Sequence, residues 1–396
     1  MIGELSTIKE ITDGVRSVIN SKNEQLSDEQ VLELIEDFVL HDQRTAPYSY
    51  KFKGEVINTV FNSTRKDLDL LQPYADDKEV SEIMVNGPDN IFIEKGGNIQ
   101  RLNLQFESVE QLEEIIRRIA AKVHREINES TPIVDARLED GSRVNAVYKN
   151  IAINGPILTI RRFPEKIITM AELLKKDAIT KEAAEFLRKL VIAGYNIFIS
   201  GGTSSGKTTF LNILSEYIPS DERVIVIEDS AELQIRGLEN IVRMECKNAN
   251  IQGKGEINIR QLIKASLRMR PDRIIVGEVR GAEVLDMIQA MNTGHDGSLS
   301  TGHGNSPEGM ISRMEAMFLQ AADFPIEAIR SQIAEAVDII VHLARLPDKS
   351  RKVLEISEIQ GYEKGKILFN PLYKYQINQN AQSKFKEGRG VLFMVI

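Results

Sequence analysis

A chain of 396 residues, 42% apolar and 27% charged, is long enough for two domains that each bury a core. Its net charge of −8 disfavours a nucleic-acid partner, and a single cysteine, Cys246, excludes an internal disulfide and a four-thiolate zinc site. No run approaches the roughly 18 uncharged apolar residues of a membrane helix, and Met1 to Asn20 lacks the plan of a signal peptide, so a cytoplasmic location is expected, with any membrane role peripheral.

Ser27 to Asp42 predicts an amphipathic helix. Ser27 and Gln30 form a capping-box pair, and Val31, Leu34, Ile35, Phe38 and Val39 share one face. Glu82-Ile83-Met84-Val85 and Asn90-Ile91-Phe92-Ile93 read as short strands around a turn at Asn86-Gly87-Pro88-Asp89. A helix follows, opened by Ser108 and Gln111, with Leu112, Ile115, Ile116, Ile119 and Val123 as its stripe. Strand-like runs surround Arg143-Val144 and Ile157 to Ile160. The periodicity breaks near Phe163-Pro164-Glu165-Lys166, where the main domain junction is expected. Beyond it, strands at Asn196 to Ser200, Arg223 to Glu228, Arg273 to Glu278 and Asp338 to Leu343 alternate with helical patterns. That alternation implies βαβ units and a largely parallel sheet. The expected division is a helical extension over residues 1–66, a small α/β domain over 67–165 and an α/β nucleotide-binding domain over 166–396. The polar tail Asn378 to Gly390 and the apolar end Val391 to Ile396 yield no reading.

Gly201-Gly202-Thr203-Ser204-Ser205-Gly206-Lys207-Thr208 carries the Walker A spacing between an apolar strand and a helix running through Phe210, Leu211 and Leu214. Glycines let such a backbone curl so that several N–H groups converge on phosphates, and the helix N-terminus adds positive potential. Gly201, Thr203, Ser204, Ser205, Gly206, Lys207, Thr208 and Thr209 are therefore the expected binding set for ATP. Lys207 would reach the β- and γ-phosphates, and the Thr208 hydroxyl would hold Mg²⁺.

Hydrolysis further requires an acid near the metal and a group that orients water. Two predicted strands end in acids, Glu228-Asp229 and Glu278, and ligands gather at the carboxyl ends of strands in open α/β sheets. Glu228 is assigned as the water-orienting base and Glu278 as the acid that holds Mg²⁺ through water, with the two roles exchangeable. His295 and His303 lie in glycine-, serine- and asparagine-rich segments that read as site loops, and His303 is placed to sense the γ-phosphate or touch the water. His41, His124 and His342 read as surface or core residues.

The chain resembles the CpaF/TadA branch of the type II/type IV secretion and pilus-assembly ATPases. The matching features are Ile83-Met84-Val85-Asn86-Gly87-Pro88, Val134 to Leu138 with Gly141 to Ala146, Arg161-Arg162-Phe163, the Walker A segment, Ile227-Glu228-Asp229, Arg268 to Gly281 and the two histidine segments. The resemblance implies a RecA-like ATPase domain behind a PAS-like α/β domain. ATP would lie between the two, with Arg143 and Arg162 of the smaller domain reaching the phosphates. It also implies a homo-oligomer, a hexamer in the family, acting on a polytopic platform protein of the inner membrane. In family terms Glu228-Asp229 resembles the Asp box, Glu278 the Walker B acid and His303 the His box. Departures are Tyr148-Lys149-Asn150 in place of a proline-containing stretch, and Gly304 where an alanine follows the histidine in the family. With Gly302 before it, His303 is expected to have extra backbone freedom. The implied function is ATP-driven assembly of a type IV-like pilus or secretion. The competing readings are a conjugation-type type IV secretion ATPase, a RecA-like nucleic-acid motor and a nucleotide-gated scaffold.

Overall fold

The computed structural model describes residues 2–21, 26–66, 68–123, 125–138, 140–162, 168–247, 249, 254–377 and 390–394. The expected junction at 163–166, His124 and most of the polar tail fall outside them. The chain divides into two compact units, Met1–Glu165 and Lys166–Ile396.

The first unit begins with helices α1 (Ile2–Ser21), α2 (Asp28–His41) and α3 (Tyr50–Arg65). The capping box at Ser27 forms as its spacing requires, each partner accepting the other's main-chain N–H. Ser49 caps α3 by accepting from the Phe52 N–H. Ile11, Val15, Val31, Ile35, Val39, Val56 and Val60 close a core of their own among these helices. Burying each such side chain is worth about 1.5–3 kcal/mol against leaving it in water.

A short helix, α4 (Gln72–Asp76), leads to β1 (Val80–Asn86), β2 (Ile91–Lys95), β3 (Asn98–Arg101), helix α5 (Val109–Lys122), β4 (Ile133–Arg137), β5 (Arg143–Val147) and β6 (Ile157–Arg161). The strands make one antiparallel sheet in the order β3-β2-β1-β6-β5-β4. Leu112, Ile115, Ile116 and Ile119 of α5 share a core with Ile83, Val85, Val144, Leu158 and Ile160, the inward half of the strands' alternation.

The second unit runs α6 (Met170–Lys175), α7 (Lys181–Ile192), β7 (Ile197–Gly201), α8 (Lys207–Ser215), β8 (Val224–Glu228), β9 (Ile241–Glu245), α9 (Ile259–Ser266), β10 (Arg273–Val279), α10 (Glu283–Met291), β11 (Leu299–His303), α11 (Pro307–Ala321), α12 (Ile326–Ala336), β12 (Ile339–Arg345), β13 (Arg351–Glu363), β14 (Lys366–Ile377) and β15 (Gly390–Met394). They build one nine-stranded sheet, β15-β14-β13-β12-β7-β11-β10-β8-β9. From β12 to β9 neighbouring strands are parallel, and β13 to β15 add an antiparallel extension at the β12 edge. Ile197, Ile199, Val224 and Val226 pack against α7 and α8 on one face, whereas Phe198, Ile225, Ile227 and Ile274 pack against α9 to α12 on the other. A sheet buried on both faces explains the continuous apolar runs.

The sequence reading finds four of these nine strands. It misses β11 because Ser300, Thr301 and Gly302 are small or polar, yet they sit in the middle of the sheet, where Ser300 and Thr301 donate their hydroxyls to the Val276 and Gly277 carbonyls at 2.8 Å each. Of the apolar C-terminal segment that had no reading, the described residues up to Met394 belong to β15, which pairs with β14.

Candidate nucleotide site

The Walker A segment links β7 to α8 at the carboxyl end of the parallel strands. Gly201 closes β7 between two neighbours, in register with His303 of β11 and Leu343 of β12. That crowding demands glycine: a Cβ there would lie 2.5 Å from the Leu343 carbonyl oxygen and 2.5 Å from Ser205 Oγ. Gly206 caps α8 at φ +97°, a left-handed conformation that glycine adopts without strain. Ser204 enters the same region at φ +59°, so the loop's curl rests partly on a residue that resists it. Thr203 and Ser204 are exposed at the loop's tip, and Thr208 and Thr209 are half-buried in the first turn of α8. Beside the loop opens a cleft of about 710 Å³ lined by Gly202, Thr203, His303, Asn305 and Arg313 among others. Its volume lies in the usual range for small-molecule sites.

Three predicted site residues converge. Lys207 is buried, and its Nζ donates to the Gly201 and Gly202 carbonyls at 3.2 Å each. The same Nζ lies 3.6 Å from Glu278 Oε1 and 3.5 Å from His303 Nδ1. His303 Nε2 is 3.1 Å from Glu278 Oε1, and Glu278 Oε2 accepts from Arg280 Nε at 2.7 Å. An ammonium has no acceptor lone pair, so Nδ1 must be the accepting nitrogen and the proton sits on Nε2, donated to Glu278. Glu278 stands in the stretch of β10 where the pairing with β11 shifts register, between Val276 and Val279.

Burial pushes the Lys207 ammonium below its ordinary value, with Glu278 opposing that shift and Arg280 and Arg313 adding to it. Burial, then the neighbouring Lys207 charge, likewise holds His303 below the usual histidine value. Both effects favour the neutral imidazole of His303, while Glu278 opposes them.

Glu228 ends β8, one strand beyond β10, and is 5% exposed. Its Oε1 accepts the Glu232 and Leu233 N–H groups at 2.8 and 2.9 Å. The carboxylate is thereby fixed in orientation and organises the segment that follows it. A Cβ on Gly277 of β10 would meet Glu228 Cγ at 3.1 Å, which shows how closely that strand passes.

Arg143 stands on β5 and Arg162 directly follows β6, both in the first unit. The Arg162 guanidinium donates to the Asp77 carbonyl of its own unit. His295 does not join the site. It precedes β11, at the opposite end of the strand from His303, where its Nδ1 lies 3.1 Å from the Ala290 carbonyl. The expected backbone freedom beside His303 is also corrected. Neither Gly302 nor Gly304 has a left-handed φ. A Cβ at Gly302 would lie 2.3 Å from Met310 Cε, and one at Gly304 2.9 Å from Ser200 Oγ and 3.1 Å from Met310 Cα. These glycines admit α11 against the strands.

The sequence reading misses two further supports. His342 of β12 is buried with its Nδ1 3.0 Å from Ser200 Oγ, one residue before the loop begins. Arg351 of β13 donates from Nε to the Ser204 carbonyl at 2.9 Å. No motif signals either residue, since each depends on strand pairings far apart in sequence.

A parallel sheet flanked by helices, with a phosphate loop and a converging lysine, carboxylate and imidazole at its carboxyl end, defines a P-loop nucleotide-binding protein of the RecA-like class. The chain belongs to the Type II/IV secretion system protein family, which it matches over residues 64–395, and so to the type II/IV secretion ATPase superfamily. A putative conjugal transfer protein of Mycobacterium tuberculosis is 34% identical over 300 residues, covering 74% of this chain and 85% of that protein. The conjugal transfer protein TrbB of Rhizobium radiobacter is 33% identical over 292 residues, covering 72% and 86%. Among solved structures, the Legionella pneumophila ATPase DotB aligns with a TM-score of 0.52 at 22% identity, covering 75% of this chain and 80% of its own. The pilus retraction motor PilT aligns with a TM-score of 0.52 at 20% identity, covering 81% and 85%. At those identities the structural likeness speaks for the fold. No helix among the described residues is long and apolar enough to cross a membrane.

Proposed function

We propose that the chain is an ATPase whose cycle drives a type II/type IV-class secretion or pilus-assembly machine. The observation that carries this reading is the meeting of Lys207, Glu278 and His303 within 3.6 Å beside the Walker A loop. Lys207 binds the β- and γ-phosphates, exchanging its carbonyl partners in the loop for phosphate oxygens, while the loop amides and the N-terminus of α8 hold the rest of the chain. Thr208 and, through water, Glu278 supply the hard oxygen donors that suit Mg²⁺ and are the residues that would hold it; the ion would neutralise phosphate charge. Glu228, oriented by its two main-chain amides, positions the attacking water, and neutral His303 donates toward Glu278 and answers to the γ-phosphate. Catalysis is positioning and charge stabilisation.

In this reading residues 1–66 form an extension, 67–165 a domain that lends Arg143 and Arg162 to the phosphates, and 166–396 the ATPase domain. The working form is a homo-oligomer, a hexamer as in the resembling family, at the cytoplasmic face of the inner membrane beside a polytopic platform protein. Flp/Tad-type pilus assembly follows from the motif resemblance. The conjugal names of relatives at 33–34% identity equally support a conjugation-type type IV secretion motor.

Phosphate release and nucleotide affinity test the reading together. Lys207→Ala loses binding of MgATP, whereas Glu228→Gln binds it and turns over roughly 10²–10⁴-fold more slowly, the usual weight of a general base. Glu278→Gln, which weakens the hold on Mg²⁺, is expected to lower MgATP turnover as well; if Glu228→Gln keeps most activity and Glu278→Gln does not, the two roles are exchanged. Wild-type protein without measurable phosphate release in any oligomeric form ends the ATPase reading. Arg143→Ala and Arg162→Ala with unchanged turnover remove the two arginines from it.

A further inference from the structure

Arg351 lies on the first residue of β13, outside every motif of the Walker A region, yet its side chain crosses the back of that loop. Its Nε donates to the Ser204 carbonyl at 2.9 Å. Its stem also passes Gly206 so closely that a Cβ on that glycine would lie 3.3 Å from Arg351 Cδ. Both contacts fall on the two loop residues with left-handed φ, Ser204 at +59° and Gly206 at +97°.

The strand that presents Arg351 is held on both sides. Before it, the β12–β13 turn is closed by the Leu346 N–H on the Ser350 carbonyl and the Lys349 N–H on the Leu346 carbonyl, both 2.8 Å. The Asp348 carboxylate accepts from the Ser350 N–H and hydroxyl at 2.9 and 2.7 Å. After it, buried Lys352 donates to the Lys176 and Asp177 carbonyls at 3.1 and 2.8 Å, and the Val353 N–H donates to the Ala178 carbonyl at 2.9 Å. Arg351 is thus an arm on a fixed base.

A trans peptide points its carbonyl and the next N–H in opposite directions. Holding the Ser204 carbonyl outward therefore aims the Ser205 N–H into the loop, where it faces the Gly202 oxygen at 3.4 Å, the same oxygen that Lys207 Nζ reaches at 3.2 Å. We propose that Arg351 is a positioning residue of the phosphate loop: it fixes the Ser204–Ser205 peptide so that the loop amides converge on the phosphate of a bound nucleotide. The consequence for affinity rests on the nucleotide-binding reading above. The consequence for the loop itself does not.

The test uses the full chain and four variants. Arg351→Met keeps the stem over Gly206 and removes the donor. Arg351→Gln keeps a donor at the same number of bonds from Cα as Nε and removes the charge. Arg351→Lys keeps the charge, and Arg351→Ala removes everything. Amide hydrogen exchange over residues 202–207, measured without nucleotide, is expected to speed up several-fold in the Met and Ala variants and to return toward wild type in the Gln variant. MgADP affinity is expected to fall about five- to tenfold in Met and Ala, as for one lost hydrogen bond, with Gln recovering most of it and kcat moving less than KM. Wild-type exchange and affinity in Arg351→Met would overturn the proposal. So would recovery by Lys with none by Gln, which would make Arg351 a simple charge. If the wild-type chain binds no MgADP, the nucleotide reading falls, and the exchange measurement still decides what Arg351 does to the loop.

Discussion

His303 and His342 flank the last two residues of β7 from opposite neighbours: His342 lies in register with Ser200, and His303 with Gly201. Burial lowers both from the ordinary histidine value. For His342 the sign is simple. In the unfolded chain it takes up a proton near pH 6.5, whereas in the folded chain it resists until a lower pH, so the unfolded state binds more protons between the two values. The stability this group contributes is fully present above about pH 6.5 and is lost as pH falls through its folded value, at up to about 1.4 kcal/mol per pH unit for one proton. Urea unfolding of wild type and His342→Gln at pH 7.5 and 5.5 checks this. The variant is expected to lose less stability on acidification, and an identical loss in both proteins would show that His342 titrates alike folded and unfolded.

At the scale of the element, the strand–loop–helix around residues 197–215 separates its two leading glycines by what stands beside each. Gly201 faces a main-chain carbonyl that the β12 pairing fixes at 2.5 Å from any added Cβ, whereas Gly202 has nothing within 4 Å and no left-handed φ. Gly201→Ala is therefore expected to destabilise by about 1–3 kcal/mol, the usual toll of overpacking, and to displace the loop. Gly202→Ala should unfold within about 0.5 kcal/mol of wild type. Chemical denaturation of the two variants decides it, and equal stability would mean that β12 yields. The motif made both glycines visible from sequence, together with the strand before them and the helix after them. It could not rank them, because Leu343 lies 142 positions from Gly201 and acts through sheet order. The same limit hid Arg351 and β11, whose polar middle gives no apolar alternation to read. Glu278 and Glu228 were legible as acids ending apolar strands, but that Glu278 comes within 3.6 Å of Lys207 depends on the sheet order and on where β10 and β11 shift register, which no spacing reveals.

At the scale of the whole molecule, the two compact units carry separate cores: one set of buried side chains comes from residues 11–160 and the other from 179–392. Each contact described at the phosphate loop comes from the second unit: Leu343 and Arg351 from β12 and β13, Glu278 from β10 with Arg280 just after that strand, His303 from β11. A nucleotide's grip should then survive without the first unit, while its turnover should not if Arg143 and Arg162 act as proposed. A fragment of residues 168–396 is expected to bind MgADP within about threefold of the full chain, less than the tenfold that 1.4 kcal/mol represents. Lys207→Ala in that fragment is expected to abolish the binding. Phosphate release by the fragment should fall by at least an order of magnitude, because electrostatic contacts made to the reacting phosphates weigh on the rate more than on the bound ground state. Calorimetry on the fragment and the full chain, read beside steady-state turnover, separates the cases. Affinity lost along with turnover would mean that the first unit helps to build the loop, and full turnover by the fragment would strip Arg143 and Arg162 of any part in hydrolysis.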